Sequence, residues 1–264
     1  MTKIKICGNT RKDDVDFAVE LGVDLIGFIF GPSKRHIEVD EAQELIADIP
    51  ATVERVGVFV HEPADVIEKA VAACGLTAVQ IYRPITSEDR QLGVTLLPAL
   101  RVRNGEDLDG LAFEPRDHPL LDTWASETAG GGTGQTWDWT KAARLAERYP
   151  ILVSGGLNPD NVANAMHQLK PWGVDVCSGI EVEPGRKDHA KLRAYCDGVV
   201  EHFLHDLGAR VGRDVVVLGL DAQNSIAHTS AGENGAKAGI DETSDDVQRF
   251  FLSVAHTRRS DRTF

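Results

Sequence analysis

The run K-I-K-I-C-G-N-T-R, from Lys3 to Arg11, puts a thiol where an apolar-alternating stretch gives way to a glycine. A cysteine whose pKa is lowered is a competent base. Far along the chain the run P-L-L-D ends on Asp122, and a carboxyl whose pKa is raised can hand on a proton. One group of each kind is the equipment for isomerisation by proton transfer. Each also has a plain structural reading, Cys7 as a small buried hydrophobe and Asp122 as a loop or cap hydrogen bond.

Two glycine-rich turns constrain the ligand. S-G-G-L-N-P-D-N-V starts at Ser154, and D-V-C-S-G-I-E-V-E-P-G starts at Asp175. Glycines let backbone N–H groups approach an anion, and a helix N-terminus adds a favourable partial charge. A single Gly-Gly turn says little, since tight turns need glycine anyway. The pair favours phosphate. Arg35, in G-P-S-K-R-H-I, is a forked donor suited to a carboxylate, against the default of an exposed loop cation.

What must position these groups is an alternation of short apolar runs and helical patterns. Strands are expected at Ile4–Cys7, Asp24–Phe30, Arg55–Val60, Ala78–Tyr82, Val94–Leu100, Pro119–Asp122, Ile151–Ser154 and Val174–Cys177. Helices are expected at Arg11–Leu21, Asp40–Ile49, Pro63–Cys74, Ser87–Gln91, Glu106–Leu111, Trp139–Arg148, Asn158–Leu169 and Asp188–His205, from apolar residues at helical spacing and from prolines and glycines at their ends. Eight such units predict a (β/α)8 TIM barrel, an α/β fold, over residues 1–206. An open doubly wound sheet is the runner-up; the first turn, C-G-N-T-R, lacks the G-x-G-x-x-G fingerprint. In a barrel the active site lies at the C-terminal strand ends, which here carry Cys7, the G-P-S-K-R run, Gln80, Asp122 and the two glycine turns.

Residues 207–264 read differently, as a C-terminal extension. Val215–Leu220 is strand-like, Asp221–Glu242 is polar and rich in small residues and is expected to be flexible, and Asp245–His256 is amphipathic.

The formal net charge of −13, from 41 acidic and 28 basic residues, argues against a nucleic-acid partner, because phosphates would be repelled. The excess fits a soluble acidic enzyme or a salt-adapted, halophilic one; only ten of the basic residues are lysine. Cys7, Cys74, Cys177 and Cys196 are scattered, with no C-x-x-C pair or metal-ligand spacing, so free thiols in a reducing compartment and no metal site are expected. No stretch approaches the roughly eighteen apolar residues of a membrane span, and a cytoplasmic location is expected.

The runs K-I-C-G-N-T-R, D-L-I-G-F-I-F-G-P-S-K-R-H-I, R-V-G-V-F-V, L-L-D-T, G-G-T-G-Q-T-W-D-W, S-G-G-L-N-P-D-N-V and G-V-D-V-C-S-G-I-E-V-E-P-G-R-K-D occur in that order between residue 3 and about residue 203. Together they resemble phosphoribosylanthranilate isomerase, an enzyme of tryptophan biosynthesis. The resemblance implies that Cys7 is the general base and Asp122 the general acid of an Amadori rearrangement of N-(5-phosphoribosyl)anthranilate. It implies Arg35 near the anthranilate carboxylate, Asp175 near the substrate hydroxyls, and the phosphate on backbone groups of Gly155, Gly156, Ser178 and Gly179. It also implies a lid over Gly130–Gly134, a small phosphorylated substrate as sole partner beyond a monomer or homodimer, and neither metal nor organic cofactor.

There are departures. After strand four the family reads Q-L-H-G where this chain has Gln80-Ile81-Tyr82-Arg83, and Cys177 stands for the first serine of Ser-Ser-Gly. The extension has no counterpart. The alternatives are a non-catalytic phosphate-binding barrel, or another sugar-phosphate enzyme such as indole-glycerol-phosphate synthase or a ribulose-phosphate epimerase. The first is disfavoured by the presence of both Cys7 and Asp122. The second lacks its lysine and glutamate, or its aspartates and histidine, at the strand ends.

Overall fold

The structure, a computed structural model, describes residues 1–103, 108–123 and 136–211. Eight parallel strands close into a barrel in sequence order: β1 Lys3–Ile6, β2 Leu25–Ile29, β3 Glu54–Phe59, β4 Ala78–Ile81, β5 Thr95–Val102, β6 Leu120–Thr123, β7 Leu152–Val153 and β8 Gly173–Val176. The ring is completed by β1 against β8, with Lys5 beside Asp175 and Ile6 beside Val176. Every expected strand is present, shifted by one or two residues.

Side chains alternate across each strand, and that period of two builds two different cores. Ile4 and Ile6, Ile26 and Phe28, Val174 and Val176 face outward and are buried under the helices. Each such side chain contributes about 1.5–3 kcal/mol by leaving water. Leu25, Val56, Ala78, Leu97, Leu120 and Leu152 turn inward and plug the barrel. Two residues further along the same inward face come Gln80, Asp122 and Ser154, so the interior changes from hydrocarbon to polar groups toward the C-terminal rim.

The helices are α1 Lys12–Glu20, α2 Val39–Ile46, α3 Ala64–Cys74, α4 Ala143–Arg148, α5 Val162–Leu169 and α6 His189–Val211. Pro63 caps α3, and Gly75 ends it in the left-handed region at φ +58°, where a missing Cβ removes the steric penalty. The helical stretches at 87–91 and 139–148 are tighter than expected: Asp89–Gln91 is one 3₁₀ turn, and Trp139–Ala142 is a 3₁₀ turn leading into α4. α5 starts at Val162 rather than Asn158. Asn158 and Asn161 bond backbone N–H groups of the preceding turn, the competition with helix that asparagine side chains offer.

The helix expected over Glu106–Leu111 is corrected in its described part. Leu108–Leu111 closes a turn, with the Leu111 N–H donating to the Leu108 carbonyl at 3.2 Å; Gly110 and Pro115 leave too little chain to sustain a helix. A short antiparallel pair, β9 Glu181–Glu183 and β10 Arg186–Lys187, follows β8 and was not expected. α6 runs to Val211, beyond His205, burying Leu192, Tyr195, Cys196 and Val199. Two compact units divide the chain, Met1–His202 and Phe203–Phe264, and the first holds the barrel. No helix among the described residues is long and apolar enough to cross a membrane. The expected Gly130–Gly134 lid and the features expected beyond Val211 lie outside the described residues.

Candidate active site

A pocket opens at the C-terminal rim, lined by Cys7, Arg35, Gln80, Tyr82, Arg101, Asp122, Ser154, Gly155, Gly156, Asp175, Cys177 and Ser178 among others. Seven of the eight residues expected to form a site therefore share one cavity. Gly179 is the exception. A Cβ there would lie 1.9 Å from the Leu157 carbonyl oxygen, so its glycine is required by the contact between the turns after β7 and β8.

Cys7 ends β1, where the buried Asn9 amide donates to the Ile6 carbonyl at 2.8 Å and the Gly27 carbonyl at 3.1 Å and fixes the turn. Next to it on the strand's inward face is Lys5, with no solvent exposure. Its ammonium donates to Asp175 Oδ1 at 2.7 Å. Burial pulls the Lys5 pKa down, but Asp175 and Cys7 outweigh it, so the pKa stands above the ordinary value. Lys187 lies on the other side, its Nζ donating to the Cys7 carbonyl at 2.6 Å and to Glu181 Oε1 at 3.1 Å. Asp14 accepts the Lys187 N–H at 2.9 Å and ties β10 to α1.

These charges bear on the state of the thiol. Lys5, Lys187 and Arg35 bring three cations to its surroundings, against the two carboxylates Asp175 and Glu181. Cys7 is lowered to about 7: a hydrogen bond from the Cys177 thiol is the largest influence, burial opposes it, and Lys5 adds to it. Cys177 is pushed the other way, well above the usual thiol value, by its hydrogen bond with Cys7 and by burial. The Cys177 thiol also donates to Glu181 Oε1 at 3.9 Å, which favours its protonated form.

Asp122 closes β6 and is 9% exposed. Burial raises it to about 6, against the Tyr82 hydroxyl that donates to Oδ2 at 2.9 Å and the Thr123 N–H that donates to Oδ1 at 2.8 Å. Tyr82 accepts from Gln80 Nε2 at 3.2 Å, and its ring lies 5.0 Å from the Arg101 guanidinium carbon, within cation–π range. Sequence left Tyr82 without a role; it holds Asp122.

Arg35 is buried and grips a carboxylate with two nitrogens, but the carboxylate is Glu181, with Nε at 2.8 Å from Oε1 and Nη2 at 2.6 Å from Oε2. The Nε–Nη2 edge of the fork is thus taken inside the protein. Asp175 accepts from Ser154 Oγ at 2.9 Å as well as from Lys5. Gly155 has φ +87°, and a Cβ there would fall 2.0 Å from Thr123 Oγ1. The Trp137 indole N–H donates to the Ser154 carbonyl at 3.1 Å and braces the same turn.

A thiol with a lowered pKa and a carboxyl with a raised one, above glycine turns in a barrel's C-terminal mouth, are the equipment of a (β/α)8-barrel enzyme that moves protons on a small anionic molecule. Residues 4–198 match the family model N-(5'-phosphoribosyl)anthranilate (PRA) isomerase. A protein of that name from Pelobacter propionicus is 40% identical over 200 residues, 74% of this chain and 94% of that one. The crystal structure of phosphoribosyl anthranilate isomerase from Thermotoga maritima superposes with a TM-score of 0.70 at 35% identity, covering 76% of this chain and 100% of that one. A second solved isomerase, in complex with reduced 1-(o-carboxyphenylamino)-1-deoxyribulose 5-phosphate, gives a TM-score of 0.67 at 33% identity over 76% of this chain and 100% of that one. The chain belongs to the phosphoribosylanthranilate isomerase family. Its activity is the isomerisation of N-(5'-phosphoribosyl)anthranilate in tryptophan biosynthesis, and its substrate is a small phosphorylated molecule.

Proposed function

We propose that Cys7 and Asp122 divide the proton transfers of this Amadori rearrangement. Asp122, protonated, gives its proton to the ribose ring oxygen as the ring opens to a Schiff base. The substrate's own nitrogen then serves as electron sink. Cys7, as thiolate, removes the proton from the adjacent sugar carbon, and the resulting enolamine tautomerises to the ketone, 1-(2-carboxyphenylamino)-1-deoxyribulose 5-phosphate. Arg35 faces the anthranilate carboxylate through Nη1, Asp175 meets the sugar hydroxyls, and backbone groups of Gly155, Gly156 and Ser178 hold the phosphate. Residues 1–206 form the catalytic barrel, and 207–264 are an extension to it.

The observation that carries this assignment is the placement of Cys7 and Asp122 in one cavity with their ionisations pushed in opposite directions. Cys7→Ser tests it, because a serine hydroxyl is far too weak a base near neutrality. Turnover, followed by the decay of substrate anthranilate fluorescence, is expected to fall by about 10²–10⁴-fold while inorganic phosphate still competes for the pocket. Near-normal turnover would remove Cys7 from the role.

A further inference from the structure

The mechanism proposed above, on which this inference rests, uses one thiol, yet the site holds two, and their backbones are joined. β1 and β8 pair through Ile6 and Val176, and the ladder carries one more bond, from the Cys7 N–H to the Val176 carbonyl at 2.9 Å. Cys7 and Cys177 are the residues that follow this last pair, Cys177 at the start of the 3₁₀ turn Ser178–Ile180. The strands they leave stand about 4.8 Å apart, a spacing from which two cysteines can meet the roughly 4.4–6.8 Å between Cα atoms that a disulfide spans. Both side chains line the same cavity. The turn between them is close-packed: a Cβ on Gly8 would lie 2.8 Å from Cys177 Sγ, and one on Gly27 would lie 3.0 Å from Cys7 Sγ. The other two cysteines, Cys74 and Cys196, are buried in the outer core, away from the pocket.

We propose that Cys7 and Cys177 form a peroxide-reactive pair, with Cys7 the attacking thiol and Cys177 the resolving one, so that oxidation stops at a reversible disulfide. The Cys7 thiolate attacks hydrogen peroxide; an S–O bond forms, the O–O bond breaks, and hydroxide leaves. Cys7 is then a sulfenic acid. The Cys177 sulfur attacks that sulfur; the S–S bond forms, the S–O bond breaks, and the departing hydroxide leaves as water with the Cys177 proton. Two electrons pass from the two thiols to one peroxide. The direction of attack follows from the neighbours of each sulfur: the buried Lys5, two residues before Cys7 on the same face, favours the anion there, whereas the Cys177 thiol donates to the Glu181 carboxylate at 3.9 Å and is held protonated. The disulfide removes the base and silences the enzyme, and it spares Cys7 the irreversible sulfinic and sulfonic stages.

The test treats the full-length enzyme with a small excess of hydrogen peroxide and reads intact mass, a non-reducing peptide map, and turnover before and after dithiothreitol. The expected result is a mass lower by two hydrogens, one cross-linked Cys7–Cys177 peptide, and turnover lost and then restored. Cys177→Ser, compared with its own untreated activity, is expected to gain oxygens on Cys7 and to stay inactive after reductant. Wild-type protein that gains oxygens on Cys7 with Cys177 still a free thiol, or that keeps both thiols unmodified, overturns the proposal. The peptide map judges the pair independently of turnover, so a failure of Cys7 as base and a failure of the disulfide are read separately.

Discussion

On the proposed assignment Cys7 must have lost its proton while Asp122 keeps one, yet burial raises the carboxyl to about 6 and the thiol is lowered only to about 7. The productive form is therefore a minority species. Below about 6 it declines because the thiol is protonated; above about 7 it declines because the carboxyl is not. The expected profile of kcat/KM against pH is a narrow bell centred between those values, measured in free-substrate conditions by the fluorescence decay; a rate that stays flat into the alkaline range would contradict the assignment. Lys5 has two duties that one substitution separates from simple packing. Lys5→Met leaves Asp175 buried without its partner, expected to cost about 3–5 kcal/mol of stability by denaturant titration. It also withdraws a cation from the thiol, so thiolate absorbance should appear at higher pH than in the unaltered protein. A stability loss with no movement of the thiol titration would make Lys5 structural only.

At the level of elements, the two glycine turns act through each other. Gly179 has no place on the pocket wall, but the turn after β8 rests on the Leu157 carbonyl at that point. Gly179→Ala must push the turns apart, because the atom met is backbone. A rise in KM and in the inhibition constant of inorganic phosphate of about tenfold, or 1.4 kcal/mol, is expected, with kcat less affected; steady-state kinetics with phosphate as inhibitor measures both. The strands were legible because β2, β3 and β8 are bounded, nearly uninterrupted apolar runs, the mark of strands buried on both faces. Cys7 and Asp122 stood out as candidates because each lies at the C-terminal end of a strand, where a barrel carries its site. Lys5 was not: in K-I-K-I an alternating lysine reads as a solvent face, and only closure of the ring shows that the face points inward. Nor were the partners of Arg35 and Tyr82, since Glu181 is 146 residues from one and Asp122 is 40 from the other. The absent helix at Leu108–Leu111 failed for a local reason, turn residues outweighing a short apolar pattern.

For the whole molecule, ring closure is reached before residue 207, where the proposed extension begins. β8 has paired with β1, the buried face of α6 reaches Val199, and the family match ends at residue 198. A chain ending after Val211 is expected to keep its kcat/KM and its cooperative thermal transition; aggregation or loss of activity would make the extension part of the fold. The closing pair of strands has a wider meaning. Cys7 leaves the ribosome some 170 residues ahead of Asp175, Cys177 and Lys187, the groups that come to surround it. Until the last strand is laid beside the first, the thiol lacks those neighbours. Its surroundings are thus withheld from every unfinished chain and are completed only once the circle is joined.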